Sequence, residues 1–188
     1  MTAMTTDSAW DVLEGCTLPR GHRVEITAGK IIMTPRRQSQ WQAVLAAAPQ
    51  IDDQLAGHGR LLSDVKVDFP SARYGYAPDL AVVAPGAELN GRGRYEWHDL
   101  EAVLDVTARP EQDEDFARKL RLYAECGIPL YVVVDPAEAL CTVHSGPQRT
   151  GSYREAERVP FGNELYLPLP DRTLVIETGG FPAEAGPR

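Results

Sequence analysis

Residues 77–84 read APDLAVVA and set a carboxylate, Asp79, at the head of a short apolar run. Leu80 to Ala84 is bounded by Pro78 on one side and Pro85-Gly86 on the other, the signature of a buried strand. Pro-Asp is also ordinary turn chemistry. Asp79 alone therefore identifies nothing, and its meaning depends on what else in the chain converges on the same place.

The next strand in the pattern, Leu100 to Thr107, carries a second acid. Asp105 interrupts Ala102-Val103-Leu104-Asp105-Val106-Thr107, where a central-strand carboxylate is disfavoured by propensity and by burial without a partner. Such acids persist when paired, hydrogen-bonded or bound to a metal, and two of them on neighbouring strands can meet. A helix follows over Asp113 to Cys126. Projected at about 100° per residue, Phe116, Leu120 and Tyr123 share the core face, and Arg118, Arg121 and Glu125 share the solvated one. Lys119 lies about 60° from Phe116 at the edge of the buried face, one turn after Asp115. An exposed Asp115–Lys119 pair would be worth only a few tenths of a kcal/mol; the alternative is a Lys aimed across the sheet edge at an anionic group. The chain has sixteen Arg and only three Lys (Lys30, Lys66, Lys119), which singles this Lys out.

Around this centre the pattern continues in both directions. Ser8 to Glu14 reads as a short helix stopped by Gly15, and Arg23 to Met33 as a β-hairpin turning at Ala28-Gly29. Trp41, Val44, Leu45, Ala48, Ile51 and Leu55 fall on one helical face, with a kink or a break into two short helices expected at Pro49. Leu61 to Phe69 reads as one strand and Pro85 to Asp99 as loop. Leu130 to Val134 is a β-branched strand closed by Asp135-Pro136. Short strands fill the tail, with a turn at Pro160-Phe161-Gly162-Asn163, and the last residues, AEAGPR, are expected to fray.

The 188 residues suit one domain, 1–188, with a full hydrophobic core; 43% hydrophobic and 24% charged content is globular. The three cysteines, Cys16, Cys126 and Cys141, lack ligand spacing and are odd in number, which suits a reduced, cytoplasmic setting. No run approaches the roughly 18 apolar residues of a membrane span, and the N-terminus lacks signal-peptide regions. A net charge of −8 excludes a protein that coats nucleic acid through its bulk charge. It leaves room for an enzyme that gathers acids around a metal and keeps its basic residues local. Arg36, Arg37, Arg73, Arg92 and Arg94 are candidate phosphate contacts, each with a plain surface role as its alternative. His22, His58, His98 and His144 show no paired ligand spacing.

The order Pro78-Asp79, then Asp105-Val106-Thr107, resembles the PD-(D/E)xK nuclease pattern, with Thr107 where that pattern has Lys. The whole set resembles the Uma family of restriction endonucleases: Pro78-Asp79 followed by Val82-Val83, then Asp115, Lys119, Tyr123-Ala124, Gly127-Ile128-Pro129, Tyr131 and Val134-Asp135. In that family the Lys is placed on the helix, which accounts for Thr107. Val24-Glu25-Ile26, Gly29, Ile31 and Thr34-Pro35 resemble its N-terminal hairpin, whose Glu belongs to the site. The likeness runs from about Arg23 to Ile176. Two positions depart from it: Asp105 stands for the usual Glu, and Gln40-Trp41 for a His at the start of the long helix.

The resemblance implies an α/β, restriction-endonuclease-like core with a central mixed β-sheet flanked by helices and an N-terminal β-hairpin. It implies a Mg²⁺- or Mn²⁺-dependent endonuclease hydrolysing phosphodiester bonds in nucleic acid, with DNA as the expected substrate. Asp79, Asp105, the Val106 carbonyl and Glu25 would be metal ligands, and Lys119 would position water or phosphate. A homodimer is expected, because two copies of one site cut both strands of a duplex. The reading from a different class is a non-catalytic nuclease-fold module, in which the acids serve as turn and cap residues.

Overall fold

A computed structural model describes residues 6–14, 17, 21–27, 29–70, 74–107 and 114–184. The elements run α1 (Thr6–Glu14), β1 (His22–Thr27), β2 (Lys30–Pro35), α2 (Gln38–Leu55), β3 (Arg60–Leu62), β4 (Val67–Asp68), β5 (Gly75–Tyr76), β6 (Leu80–Val83), β7 (Tyr95–Glu96) and β8 (Leu100–Val106). They continue with α3 (Glu114–Cys126), β9 (Leu130–Asp135), β10 (Leu140–Gln148), β11 (Ser152–Pro160), β12 (Glu164–Pro168) and β13 (Thr173–Glu177).

A six-stranded sheet in the order β11-β10-β9-β8-β6-β3 forms the centre. It is mixed: β8 and β9 run parallel, joined through α3, and the other neighbours are antiparallel. The parallel pair requires a crossover helix between its strands, and α3 is that helix. A second sheet, β2-β1-β5-β4-β7, begins with the N-terminal hairpin, and β12 and β13 pair by themselves.

Side-chain alternation divides the central sheet into two faces. Leu80, Val82, Ala102, Leu104, Val106, Leu130, Val132 and Val134 pack against α2 and the β12–β13 ribbon. Ala81, Val83, Val103, Tyr131 and Val133 pack on the other side against Tyr123 of α3 and Val67, Tyr76 and Tyr95 of the second sheet. By the same alternation Asp79 and Asp105 belong to this second side, because each is an even number of residues from Ala81 or Val103.

The structure departs from the sequence-based expectations at several points. Leu61 to Phe69 is two strands in different sheets, β3 and β4, separated by a bend at which Asp64 takes φ 55°; Asp is among the few residues that adopt this left-handed conformation readily. The loop before Asp99 contains β7 and a 3₁₀ turn, Trp97–Asp99. In the tail, β10 and β11 are nine residues each rather than short, and the turn after Pro160 is present. Helix α2 is continuous from Gln38 to Leu55 rather than two short helices: Pro49 is exposed, as is Leu45, whose carbonyl Pro49 leaves without a helical donor. Its buried face is Ala43, Val44, Ala47, Ile51 and Leu55, rotated from the one expected, so that Trp41 and Leu45 face outward. Asp113, Gly15, Cys16, Arg73 and most of the final AEAGPR lie outside the described residues.

Among the described residues no helix is long and apolar enough to cross a membrane. Cys141 is buried and Cys126 half-buried, both free thiols; burial pushes the first up to about 12 and the second, with Glu125 beside it, to about 11. Asp135 closes β9 by accepting hydrogen bonds from the Ala137 and Glu138 amides at 2.9 and 3.3 Å, a turn role.

His144 of β10 lies among the rings of Tyr131, Phe116 and Tyr153, with centroids 6.0, 6.2 and 5.8 Å away. Burial lowers its pKa from the ordinary 6.5 to about 4. The unfolded chain therefore binds a proton that the folded one refuses, and stability is lost as pH falls from about 6.5 towards 4. His144→Phe is expected to show a smaller loss over that window, read by urea unfolding at stepped pH; identical profiles would mean that His144 does not contribute.

Candidate active site

The two strand acids are brought together by the pairing of β6 with β8, in which Leu80 lies opposite Leu104. That register sets Asp79 beside Asp105, both almost fully buried. The backbone completes the arrangement: the Asp79 amide donates to Asp105 Oδ1 at 3.3 Å, and the Val106 amide donates to Asp79 Oδ2 at 2.8 Å. Tyr131, on β9 next to β8, donates its hydroxyl to Asp105 Oδ2 at 3.2 Å.

Strand β1 supplies the third acid by the same two-residue period. Val24 and Ile26 pack with Trp10 and Leu13 of α1, which turns Arg23, Glu25 and Thr27 to the opposite side and into the cleft. Helix α3 supplies Lys119 from above. Its ammonium lies 2.6 Å from Glu25 Oε1, 3.4 Å from Asp115 Oδ2 and 3.7 Å from Asp105 Oδ2, and 5.3 Å from the centre of the Tyr76 ring. At 3% exposure Lys119 is inside the protein, not at the edge of a face.

Three further residues complete the cluster: Arg23, to which the sequence reading gave no role, Arg36, expected there only as a phosphate contact, and Gln40, noted there only as a departure from the family's His. Arg23 places one guanidinium nitrogen in contact with Asp79 Oδ2 and 3.2 Å from Asp105 Oδ1, and the other 3.8 Å from Glu25 Oε1. Arg36 reaches Asp79 Oδ1 at 3.5 Å and also contacts Asp64. Gln40 donates to the Val106 carbonyl at 2.7 Å and accepts from the Arg37 amide at 2.8 Å, tying the start of α2 to the end of β8. The signal for Arg23 was available: it stands two residues before Glu25 and so on the same face of one strand. Gln40 and Arg36 become neighbours of the acids only through the chain's fold.

The electrostatics follow from burial and this pairing. Burial alone would lower the pKa of Arg23, but Asp105, Asp79 and Glu25 outweigh it and hold the group charged. For Lys119 burial again acts downward, and Asp105 and Glu25 again prevail and raise it. Burial would raise Asp105; Lys119 and Arg23, with the Asp79 amide and the Tyr131 hydroxyl, bring it below the ordinary carboxylate range. Glu25 behaves differently. Its burial dominates over Lys119 and Arg23 and pushes it up to about 7, so it is an acid of this cluster that exchanges a proton near neutrality.

Arg23, Glu25, Asp105, Lys119 and Tyr131 line a cleft of about 460 Å³ together with Arg36, Gln40, Thr107, Glu114, Asp115 and Arg118; Asp79 is not among its lining residues. Carboxylates and a main-chain carbonyl are hard oxygen donors that suit a divalent ion such as Mg²⁺. Glu25 Oε1 faces the Lys119 ammonium at 2.6 Å and Asp79 Oδ1 lies 3.5 Å from Arg36, so both oxygens are already set toward positive charge. In the present arrangement no three His, Cys, Asp or Glu side chains among the described residues are grouped to hold a metal ion, and Arg23 stands between the acids. The donor chemistry thus fits, with the cation position taken by a guanidinium.

The other candidates separate clearly. Arg94 is buried and paired with Asp68 at 2.9 Å, which removes it from the phosphate contacts. Arg37 and Arg92 are exposed, and Arg118 is half-buried in the lining of the cleft rather than on a solvated stripe. Tyr123 packs against Tyr131 at 4.9 Å and against Phe69 and Tyr76, in keeping with a packing role.

Comparisons with known proteins bear on the family and the fold. The family model described as "Uma2: Putative restriction endonuclease" matches residues 10–177, and the chain belongs to that family. A crystal structure described as "a putative nuclease belonging to DUF820 from Anabaena variabilis ATCC 29413" has the same fold, with a TM-score of 0.63 and 18% identity over 89% of this chain and 90% of that one. No curated protein matches the chain.

Because Lys119 is buried among acids, Lys119→Met should destabilise the fold by about 3–5 kcal/mol, the usual cost of removing one partner of a buried ion pair. Adding Glu25→Gln should recover part of that loss by removing the acid left unpaired. Urea unfolding of the single and double variants measures the difference; a double variant no more stable than Lys119→Met would place the partner of Lys119 elsewhere.

Proposed function

We propose that this protein is a divalent-metal-dependent endonuclease acting on DNA, with Asp79, Asp105, Glu25 and Lys119 as its reacting centre. The observation that supports it best is the meeting of three acids and a protonated Lys, drawn from a hairpin, two strands and a helix, with Glu25, Asp105 and Lys119 lining one cleft. A purely structural set of acids would have no need to line a cleft.

A hard divalent ion, Mg²⁺ or Mn²⁺, held by Asp79, Asp105 and the Val106 carbonyl with Glu25 beside it, supplies Lewis-acid polarisation of the phosphate and a more acidic water. The Val106 oxygen keeps a second lone pair beside its bond from Gln40. The residues do the rest. Lys119, held protonated, donates to a non-bridging phosphate oxygen, where negative charge develops as water attacks. Glu25, with its pKa near the working pH, accepts the proton of that water. The water oxygen bonds to phosphorus, one bridging P–O bond breaks, and the leaving oxygen is protonated from solvent in the cleft. Arg36 and Arg118 of the cleft, with Arg37 at the start of α2, offer the local positive charge that a net-acidic chain needs in order to hold a phosphate backbone. Two copies in a closed dimer would set one site against each strand of a duplex.

A non-catalytic module built on the nuclease fold is the second reading, and one observation favours it: the acids are already neutralised by Arg23. The two readings part in a plasmid-nicking assay with Mg²⁺ or Mn²⁺, run with thermal melting of every protein used. Asp79→Asn, Asp105→Asn and Lys119→Arg are each expected to lose roughly a hundredfold or more in rate while remaining folded. Arg121→Ala, on the exposed face of α3 and paired only with Glu125 at 2.8 Å among the described residues, should cut at the parent rate. A folded parent protein that cuts no DNA with either ion would support the module.

A further inference from the structure

We propose that Arg23 is a counter-ion built into the site, holding the place between Asp79 and Asp105 that a divalent ion would take, so that the Arg23 guanidinium and the ion exclude one another. This rests on the reading of the cluster as a metal-dependent centre and adds to it a residue that controls loading.

The geometry carries the inference. One nitrogen of Arg23 touches Asp79 Oδ2 and lies 3.2 Å from Asp105 Oδ1, so a single positive atom bridges the two strand acids as a shared ion would. The second nitrogen faces Glu25 Oε1 at 3.8 Å. The contacts of Arg23 are spread over three carboxylates, Asp79, Asp105 and Glu25, and are not a two-pronged fork on one of them. A guanidinium that belonged permanently to one carboxylate would be expected to pair in the planar, bidentate manner that suits it. A divalent cation and this nitrogen cannot share the same oxygens, because like charges at such separations repel strongly in a buried setting.

The chain also provides somewhere for the side chain to go. Arg23 lines the cleft of about 460 Å³, and its long stem pivots from β1, whose backbone is fixed by six paired positions with β2. Asp115 and Glu114 line the same cleft. A guanidinium released from Asp79 and Asp105 therefore enters the space a phosphodiester would occupy, where it is a cation available to phosphate.

The experiment uses Mn²⁺ as the probe and measures its binding directly, by loss of the free-ion electron paramagnetic resonance signal, in the parent protein, Arg23→Met and Arg23→Met/Asp79→Asn. If the state with Arg23 withdrawn makes up roughly 0.1–10% of the parent protein, Arg23→Met should bind Mn²⁺ about tenfold to a thousandfold more tightly, and the double variant should lose the gain. Because Arg23→Met leaves buried acids uncompensated, thermal melting and circular dichroism with and without millimolar Mn²⁺ accompany the titration. The ion should raise the melting temperature of Arg23→Met more than that of the parent, or restore its fold if it is lost. Equal or weaker binding by Arg23→Met overturns the competition and leaves the metal-site reading standing. No binding by either protein overturns both. An Arg23→Met protein that stays unfolded in Mn²⁺ overturns the competition, since it makes Arg23 a structural partner that the ion does not replace.

Discussion

Two carboxylates buried side by side impose the constraint that organises this protein. Moving an ionised carboxylate out of water costs several kcal/mol even after relaxation, and two at close range repel one another. Asp79 and Asp105 sit together because β6 pairs with β8 in a register that sets Leu80 opposite Leu104. Their neighbours answer that cost. The β1 strand brings Arg23, α3 brings Lys119, β9 brings the Tyr131 hydroxyl, and two backbone amides point at the acids themselves. The hairpin and α3 are thus fastened to the central sheet by charge as well as by apolar contact.

The same sheet shows why chemistry belongs to one of its faces. On the α2 side, aliphatic residues of five strands meet the helix and the β12–β13 ribbon in a continuous apolar layer. The other side is closed by aromatic rings of Tyr76, Tyr123 and Tyr131 and then opens at its end, where β1 and α3 diverge around the cleft. An ionised group on the first face would have no partner and no water. On the second face, one end of the sheet offers both.

The pairing of opposite charges here is dense but not redundant. Glu25 is raised towards neutrality by burial, while Asp105 is held ionised by two cations and two hydrogen-bond donors. Neighbouring acids with different environments acquire different proton affinities, the general condition for dividing ligand and proton-transfer roles among carboxylates. Arg23 has a large part in setting that difference, since its guanidinium touches the strand acids and stands farther from Glu25.

Local pattern alone was enough to identify the strands that carry Asp79 and Asp105, the β1–β2 hairpin, and α3 with Lys119 at its helical position, because each depends on periodicity and turn residues within about a dozen positions. Asp79, Asp105 and Lys119 stood out together from their places in the pattern, and Glu25 joined them only through the resemblance to a nuclease family. Tertiary structure decided what spacing does not encode. The Leu61–Phe69 segment split between two sheets because β3 and β4 have different pairing partners, which no local window contains. Trp41 and Leu45 turned outward because the rotation of α2 is set by the surface it packs on. Lys119 went from the edge of a helix to full burial because Glu25 arrives over it from a strand more than ninety positions away. Arg23 became the bridge between two acids for the same reason: an Arg in a strand declares its charge and its face, but which carboxylates it meets is settled only when distant strands are brought side by side.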